Sequence, residues 1–262
     1  MVLCFKILYL CYMHLPGFAI LFGILFFGGG LSTQPSHDSW TIELNKFVDE
    51  NGFVDYQSWR NDRDGLTKYL ASLQAYPPQS SWSRSEITAY WINAYNAYTI
   101  ALILQHYPVR SIKEIGGKIP KINSVWDINF IPWNGRTINL NEIEHNILRK
   151  KYPDPRIHAC LVCASYSCPK LRREAFVARD LDAQMDDACL RFLKDPNRNQ
   201  YEPSGSSLSM IFKWYASDFG GIEGVKKFIK KYVPEAFPHP KTKMKYLDYN
   251  WALNDSKIYK QP

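Results

Sequence analysis

Apolar residues recur at helical spacing over most of the chain, and the segments they define end at proline or glycine. The longest segment, residues 81–108, is apolar on nearly all faces, which predicts a central, buried helix. Ser83 and Glu86 have the spacing of a capping box at its start, and Pro108 ends it. Further helices are predicted before the turn at residues 50–52 and in residues 62–78, 139–153, 173–196, 207–221 and 222–234.

Two asparagines, Asn93 and Asn96, lie three residues apart on the long helix and therefore share a face. A buried amide without a hydrogen-bond partner costs roughly 1–3 kcal/mol, so both side chains need partners. We favour a structural role over a catalytic one, in which the two amides tie neighbouring loops to the central helix.

Patterns that predict strands are few and lie in the second half of the chain. Asn134 and Gly135 both tolerate positive φ and predict a hairpin. Residues 156–165 alternate too little for a half-exposed strand and predict a central strand buried on both faces, and residues 243–254 predict a closing strand. We therefore expect an α+β fold, a helix-rich single domain over residues 36–262 packed on a small, mainly antiparallel sheet.

The N-terminal residues 1–35 have a different pattern. Up to Leu31 the chain is almost wholly apolar, with Lys6 as its only lysine or arginine, and a small, polar run follows. This is typical of a signal peptide or an N-terminal anchor. The expected location is therefore exported: periplasmic, envelope-associated or secreted. Such a location is oxidising, and four cysteines that could pair would remain after removal of the N-terminal segment: Cys160, Cys163, Cys168 and Cys189.

Composition and charge narrow the class of partner. The chain has 262 residues, a net charge of +7 and an ordinary globular composition with 46% apolar residues. A net positive charge favours binding to nucleic acid or to an anionic membrane. The basic residues are scattered among acids, however, so no nucleic-acid partner is expected. Membrane contact is expected only through an uncleaved N-terminal segment.

The richest stretch for chemistry is residues 156–171, which holds one histidine and three cysteines. Zinc is disfavoured, because strand alternation would place His158 and Cys160 on one face and Cys163 on the other. We therefore expect no metal and no cofactor. A redox pair, a structural disulfide between Cys163 and Cys168, and a cysteine nucleophile all remain open.

As a nucleophile, Cys163 would stand where the predicted strand gives way to a small, polar loop. Loop N–H groups around Ala164 and Ser165 would then stabilise an oxyanion. A thiol also needs a base. His145 directly follows Glu144 and lies off the apolar stripe of its helix, so the Glu144 carboxylate would orient the imidazole ring. The candidate bases are His106, His145, His158 and His239.

Several motifs together carry a family resemblance that spans roughly Asp38 to Asn254. In order they are AYWINAYNAYTI, VWD, LNEIEHNILR, DPRIHACLVCASYSCPKL, IFKWYASDFGG and YLDYNWALN. The sequence resembles the family catalogued as domain of unknown function 547. One departure is visible: the family usually has Phe-Ala where this chain has Ala159 and Cys160, which weakens any site built on Cys160.

The resemblance implies an exported protein whose fold is similar to that of papain-like and transglutaminase-like thiol enzymes. Its motifs point to Glu144, His145, His158, Cys163 and Cys168. Our leading hypothesis is a thiol-dependent hydrolase or acyl-transfer enzyme acting on an unknown peptide or amide-like substrate. The alternatives are a non-enzymatic envelope or secreted binding module stapled by a Cys163–Cys168 disulfide, and a thiol-disulfide oxidoreductase.

Overall fold

The longest helix runs through the core, as its apolar pattern predicts. The computed structural model describes residues 34–116, 124–202, 204–237, 239 and 242–259. Helix α4 (Arg84–His106) is buried along most of its length. The predicted capping box is confirmed: the Ser83 N–H donates to Glu86, and the Glu86 N–H donates to the Ser83 hydroxyl at 3.2 Å.

The other α-helices are α1 (Asp38–Phe47), α2 (Tyr56–Asn61), α3 (Asp64–Ala75), α5 (Leu181–Lys194), α6 (Ile211–Trp214), α7 (Gly221–Tyr232) and α8 (Ser256–Tyr259). Helix α1 packs against α2 and α3, where Trp40 stacks on Trp59 and on Tyr69, and α2 and α3 both pack against α4. A π-helix spans Glu142–Arg149, and 3-10 helices span Ile112–Glu114, Val125–Asp127, Pro155–Ala159 and Ala216–Phe219. Helix α7 follows Gly220 and begins at Gly221, and both of these residues have positive φ, so they divide the two helices as expected.

The strands in the described part of the chain form two small sheets. Strands β1 (Ile131–Trp133) and β2 (Arg136–Ile138) make the antiparallel hairpin that the Asn-Gly turn predicts. The second sheet has the order β3 (Gln200–Glu202), β4 (Gly205–Leu208) and β5 (Lys243–Tyr246). Its β3–β4 pair is antiparallel and its β4–β5 pair is parallel, so this sheet is mixed. The helix-rich α+β fold is confirmed.

The predicted strand at residues 156–165 is wrong. Pro155–Ala159 forms a 3-10 helix, which begins where the Asp154 side chain accepts a hydrogen bond from the Arg156 N–H at 2.9 Å. Proline at the first helical position favours this start, because its missing N–H would have no partner there. Residues 161–163 then run without regular structure. Their apolar character reflects burial in the core and not membership of a sheet.

The two asparagines of α4 each bind a neighbouring loop, and Asn96 explains how this segment stays buried without a sheet. Asn96 donates to the carbonyl of Cys160 and accepts from the N–H of Val162, both at 2.9 Å. Asn93 makes the same pair of bonds with the N–H and carbonyl of Phe176. Each amide thus replaces a neighbouring strand as hydrogen-bond partner. The predicted structural role of both residues is confirmed.

Most of the predicted signal or anchor lies outside the described residues, which begin at residue 34. Within the described part of the chain, no helix has both the length and the apolar character needed to cross a membrane.

Candidate functional site

A cavity of about 190 Å³ opens beside the sulfur-rich stretch, and we refer to it as the Cys163 cavity. Six aromatic or ionisable residues of its lining lie in helical segments or directly beside them: Tyr95, Trp126, Glu144, His158, Trp214 and Tyr215. The remaining lining residues are Asn141, Leu161, Cys163, Cys168, Ile211, Tyr249 and Trp251. The cavity therefore collects residues from α4, the π-helix, two 3-10 helices, α6 and the C-terminal segment.

The sulfur of Cys163 sits within a set of hydrogen-bond partners. It lies 3.1 Å from the Ser165 hydroxyl and 3.3 Å from the Tyr249 hydroxyl. The hydrogen bond from the Cys168 thiol lowers the pKa of Cys163 most, burial opposes this, and Ser165 and Tyr249 lower it further, to about 7. A thiol with this pKa is half ionised near neutral pH, and the thiolate is the nucleophilic form.

Cys168 has the opposite character. Burial raises the pKa of its thiol well above the usual range, and the neighbouring sulfur of Cys163 adds to that shift. The N–H of Cys163 donates to the sulfur of Cys168 at 2.9 Å. Cys168 therefore stays protonated near neutral pH, and its sulfur lies 3.7 Å from the carbonyl oxygen of Leu161 as well as beside Cys163.

The disulfide considered from the sequence is not formed. All four described cysteines are free, and the sulfur atoms of Cys163 and Cys168 are 3.1 Å apart. A disulfide bond is about 2.05 Å long. The other two cysteines, Cys160 and Cys189, are buried, and burial raises the pKa of Cys189 to about 12 and that of Cys160 well above its usual range.

The turn after Cys163 is strained and firmly held. Ala164 has a φ of 58°, a conformation that non-glycine residues seldom adopt and that clusters at functional sites. Backbone bonds hold the turn against the C-terminal segment: Tyr166 donates to Ala252 at 2.7 Å, and Asn254 donates to Ala164 at 3.0 Å. These backbone bonds fix the position of the Cys163 sulfur relative to Tyr249, which lies on the C-terminal segment.

The predicted oxyanion donors around Ala164 and Ser165 stay a prediction. The N–H of Ser165 is directed at the sulfur of Cys163 and contributes to its lowered pKa.

His158 and Cys163 line the same cavity, although strand alternation predicted opposite faces. That prediction fails because the segment between them is helix and irregular chain. The Nε2 atom of His158 is 2.8 Å from Oδ2 of Asp218, and its ring stacks on Tyr215 with centroids 4.0 Å apart. Within the part of the chain that the structure describes, no hydrogen bond engages Nδ1 of His158.

Asp218 is itself held by Arg149, whose Nη2 donates to Oδ1 at 2.7 Å and whose Nε donates to Oδ2 at 2.5 Å. Partial burial acts to raise the pKa of Asp218, but the hydrogen bonds from Arg149 and His158 outweigh it and hold that pKa well below its usual range. The carboxylate therefore stays ionised over the working pH range and holds the imidazole of His158 in one orientation.

His145 lies elsewhere. Its Nδ1 accepts a hydrogen bond from Nη1 of Arg149 at 2.8 Å, and its side chain is not part of the cavity lining. Its neighbour Glu144 points the other way, is buried, and accepts a hydrogen bond from the Tyr95 hydroxyl at 3.3 Å. The structure thus brings Glu144, His158, Cys163 and Cys168 together in the cavity lining. His145 is outside this lining and is hydrogen-bonded to Arg149.

Sequence reasoning gave no role to Asp218, Arg149 or Tyr249. Asp218 lies in the motif KWYASDFGG, where a carboxylate between aromatic residues and two glycines was a detectable signal. Tyr249 had none, because it reaches Cys163 from 86 residues away in sequence. The π-helix over Glu142–Arg149 was also missed, and π-helical turns occur frequently at functional sites.

The described residues contain no group of three or more His, Cys, Asp or Glu side chains placed to hold a metal ion. No curated protein and no solved structure matches this chain. The family model described as "Protein of unknown function, DUF547" matches residues 79–193, a range that includes Glu144, His145, His158, Cys163 and Cys168 and stops before Asp218 and Tyr249.

Proposed function

We propose that the protein is a thiol-dependent acyl-transfer enzyme or hydrolase. In this proposal Cys163 is the nucleophile, His158 is the general acid and base, and Asp218 orients the imidazole. Cys168 donates a hydrogen bond that favours the thiolate. His158 replaces His145 as the preferred base, because Arg149 occupies one ring nitrogen of His145 and its side chain does not line the cavity.

The observation that carries the proposal is the shared cavity of His158 and Cys163, with His158 anchored through Nε2. Because Asp218 engages Nε2, the other ring nitrogen is the one left to exchange a proton inside the cavity. A nucleophile, a base and a group that orients the base are the three components of thiol and serine acyl transfer.

The reaction then has two halves. The thiolate of Cys163 attacks a carbonyl carbon, and the imidazolium of His158 gives its proton to the leaving group as the carbon–heteroatom bond breaks. This leaves a thioester on Cys163 and a neutral imidazole. In the second half His158 takes a proton from water or from an amine, which attacks the thioester and releases the thiolate.

An activated ester tests this chemistry without knowledge of the natural substrate. Mixing the protein with p-nitrophenyl acetate should release p-nitrophenolate in a rapid burst equal to the enzyme concentration. Mass spectrometry should find one acetyl group on Cys163. Cys163→Ala should abolish the burst, and Cys160→Ala, which removes a buried thiol of raised pKa, should retain it. A slow, linear release in the wild type would refute the assignment.

Export to the periplasm, envelope or outside of the cell stays part of the proposal. It is supported by the apolar segment within residues 1–35. Expression in a bacterial host followed by N-terminal sequencing of the exported protein tests it. Recovery of the full-length chain in the soluble cytoplasmic fraction would argue against it.

A second candidate, thiol-disulfide exchange, is favoured by one observation: the sulfur atoms of Cys163 and Cys168 are already 3.1 Å apart. Thiolate attack by Cys163 on an external disulfide would give a mixed disulfide, which Cys168 would resolve with release of the second thiol. Equilibration with glutathione at defined ratios discriminates, because an oxidoreductase should cycle reversibly between dithiol and disulfide. A permanent Cys163–Cys168 bond in active protein would instead favour the stapled binding module.

A further inference from the structure

Most of the aromatic side chains that line the Cys163 cavity have no role in the proposed chemistry. The aromatic side chains are Tyr95, Trp126, Trp214, Tyr215, Tyr249 and Trp251. Several of these rings touch one another: Trp214 packs against Tyr249 with centroids 4.8 Å apart, and Tyr249 packs against Trp251 at 4.5 Å. Trp126, Trp214, Tyr249 and Trp251 therefore form one connected aromatic wall, and the rings of Tyr95 and Tyr215 line the cavity separately beside Glu144.

Among the described residues of this lining, Glu144 is the one acidic side chain, and it is only 6% exposed. It accepts a hydrogen bond from Tyr95, and it is also hydrogen-bonded to the Tyr215 hydroxyl, which contributes to the raised pKa of that tyrosine after the larger effect of burial. Among the described residues, no lysine, arginine or histidine forms an ion pair with it. A buried carboxylate is costly unless a cation accompanies it.

The neighbouring cation, Arg149, does not supply that partner. Its guanidinium is engaged by Asp218 through two hydrogen bonds, and its pKa is raised first by Asp218 and only later by the charge of Glu144. Glu144 is thus left facing the cavity as an acceptor without its own cation.

Aromatic faces together with a carboxylate are the groups that bind organic cations, since the ring quadrupole attracts positive charge. The same wall already binds one cation of the protein: Nζ of Lys113 lies 4.7 Å from the centroid of Trp251. The cavity volume of about 190 Å³ is below the range of roughly 300–1,000 Å³ typical of sites for whole drug-sized ligands. It suits one side-chain-sized group.

We infer that the Cys163 cavity binds an aliphatic ammonium group of the substrate, held between the aromatic wall and the Glu144 carboxylate. The acyl-transfer substrate would accordingly be a compound whose reacting carbonyl or acceptor amine lies within a few bonds of an ammonium group. This inference rests on the proposed function for its link to catalysis, but the binding of the cation does not require turnover.

Binding is measured on Cys163→Ala, in which no acyl transfer takes place, by quenching of the fluorescence of the tryptophans in the wall. The probes are n-butylammonium and its neutral counterpart n-butanol, titrated at constant ionic strength. We expect n-butylammonium to bind at least about tenfold more tightly, a difference of roughly 1.4 kcal/mol. Equal affinity for both probes would overturn the inference and would favour a neutral ligand that stacks on the rings.

Three further variants test where the cation binds. Glu144→Gln keeps an oxygen acceptor for the phenols and removes the charge, so the preference for n-butylammonium should fall to near unity. Glu50→Gln, at a carboxylate whose side chain is 88% exposed and outside the cavity, should leave the preference unchanged. If Glu144→Gln does not fold, Trp214→Leu decides, since its ring is 44% exposed and its loss should weaken n-butylammonium but not n-butanol.

The two proposals fail separately. A burst from p-nitrophenyl acetate with no preference for n-butylammonium would leave the acyl-transfer chemistry standing and remove the ammonium site. A clear preference with no burst would leave a cation-binding cavity and remove the chemistry.

Discussion

Nε2 of His158 lies 2.8 Å from Oδ2 of Asp218, a residue 60 positions later in the chain. The same carboxylate receives two hydrogen bonds from Arg149, so it is fixed on both sides. This arrangement decides which ring nitrogen of His158 is engaged, and it leaves Nδ1 for the proton exchange that we propose.

Replacing that carboxylate tests its role. Asp218→Asn keeps the size of the side chain but removes the charge that stabilises the imidazolium and selects its tautomer. We expect the rate of acetyl transfer from p-nitrophenyl acetate to fall by about 10²–10⁴-fold. Asp62→Asn, which breaks only a surface ion pair with Lys46, is the control and should change the rate little. An unchanged rate in Asp218→Asn would mean that Asp218 does not orient the base.

The lowered pKa of Asp218 also predicts a pH dependence of stability. Because its pKa is lower in the folded than in the unfolded chain, its contribution is fully present above the unfolded value of about 4 and is lost as the pH falls below it. Urea unfolding between pH 7 and pH 3 should therefore show a smaller loss of unfolding free energy in Asp218→Asn than in the wild type. Parallel curves for the two proteins would contradict the ion-pair account.

The reactivity of Cys163 should follow its ionisation. We expect the rate of alkylation by iodoacetamide to rise with pH and to reach half its maximum near pH 7. In Cys168→Ala the main hydrogen-bond donor is gone, so this midpoint should move upward toward the value of about 8.5 for a free cysteine. Cys189→Ala is the matched control, because that thiol is buried in α5. A midpoint that stays near 7 in Cys168→Ala would exclude Cys168 as the donor.

Asn96 should matter for stability more than its single side chain suggests. In Asn96→Ala the carbonyl of Cys160 and the N–H of Val162 lose their partner inside the core. At roughly 1–3 kcal/mol for each of the two unsatisfied groups, the free energy of unfolding should fall by about 2–6 kcal/mol. Asn61→Ala, at an exposed site, should change it by less than about 0.5 kcal/mol. A similar small loss in both variants would show that water replaces the amide of Asn96.

Local signals determined much of this protein. The capping box at Ser83, the turn at Asn134 and Gly135 and the helix stops at proline act over a few residues, so their geometry is readable from the sequence. The burial of α4 followed from its apolar faces, and the need of Asn93 and Asn96 for partners followed from that burial. The sequence also identified Cys163, His158 and Cys168 as candidates for chemistry.

Only the tertiary structure decided how those candidates meet. Residues 156–165 look like a buried strand because an apolar run has no fixed period when every face is covered. The amide of Asn96, far away in sequence, satisfies the Cys160 carbonyl and the Val162 N–H in place of a neighbouring strand, and His158 and Cys163 line one cavity. The contacts of Asp218 and Tyr249, on which we base the proposal of His158 over His145, depend on long-range packing that no local pattern encodes.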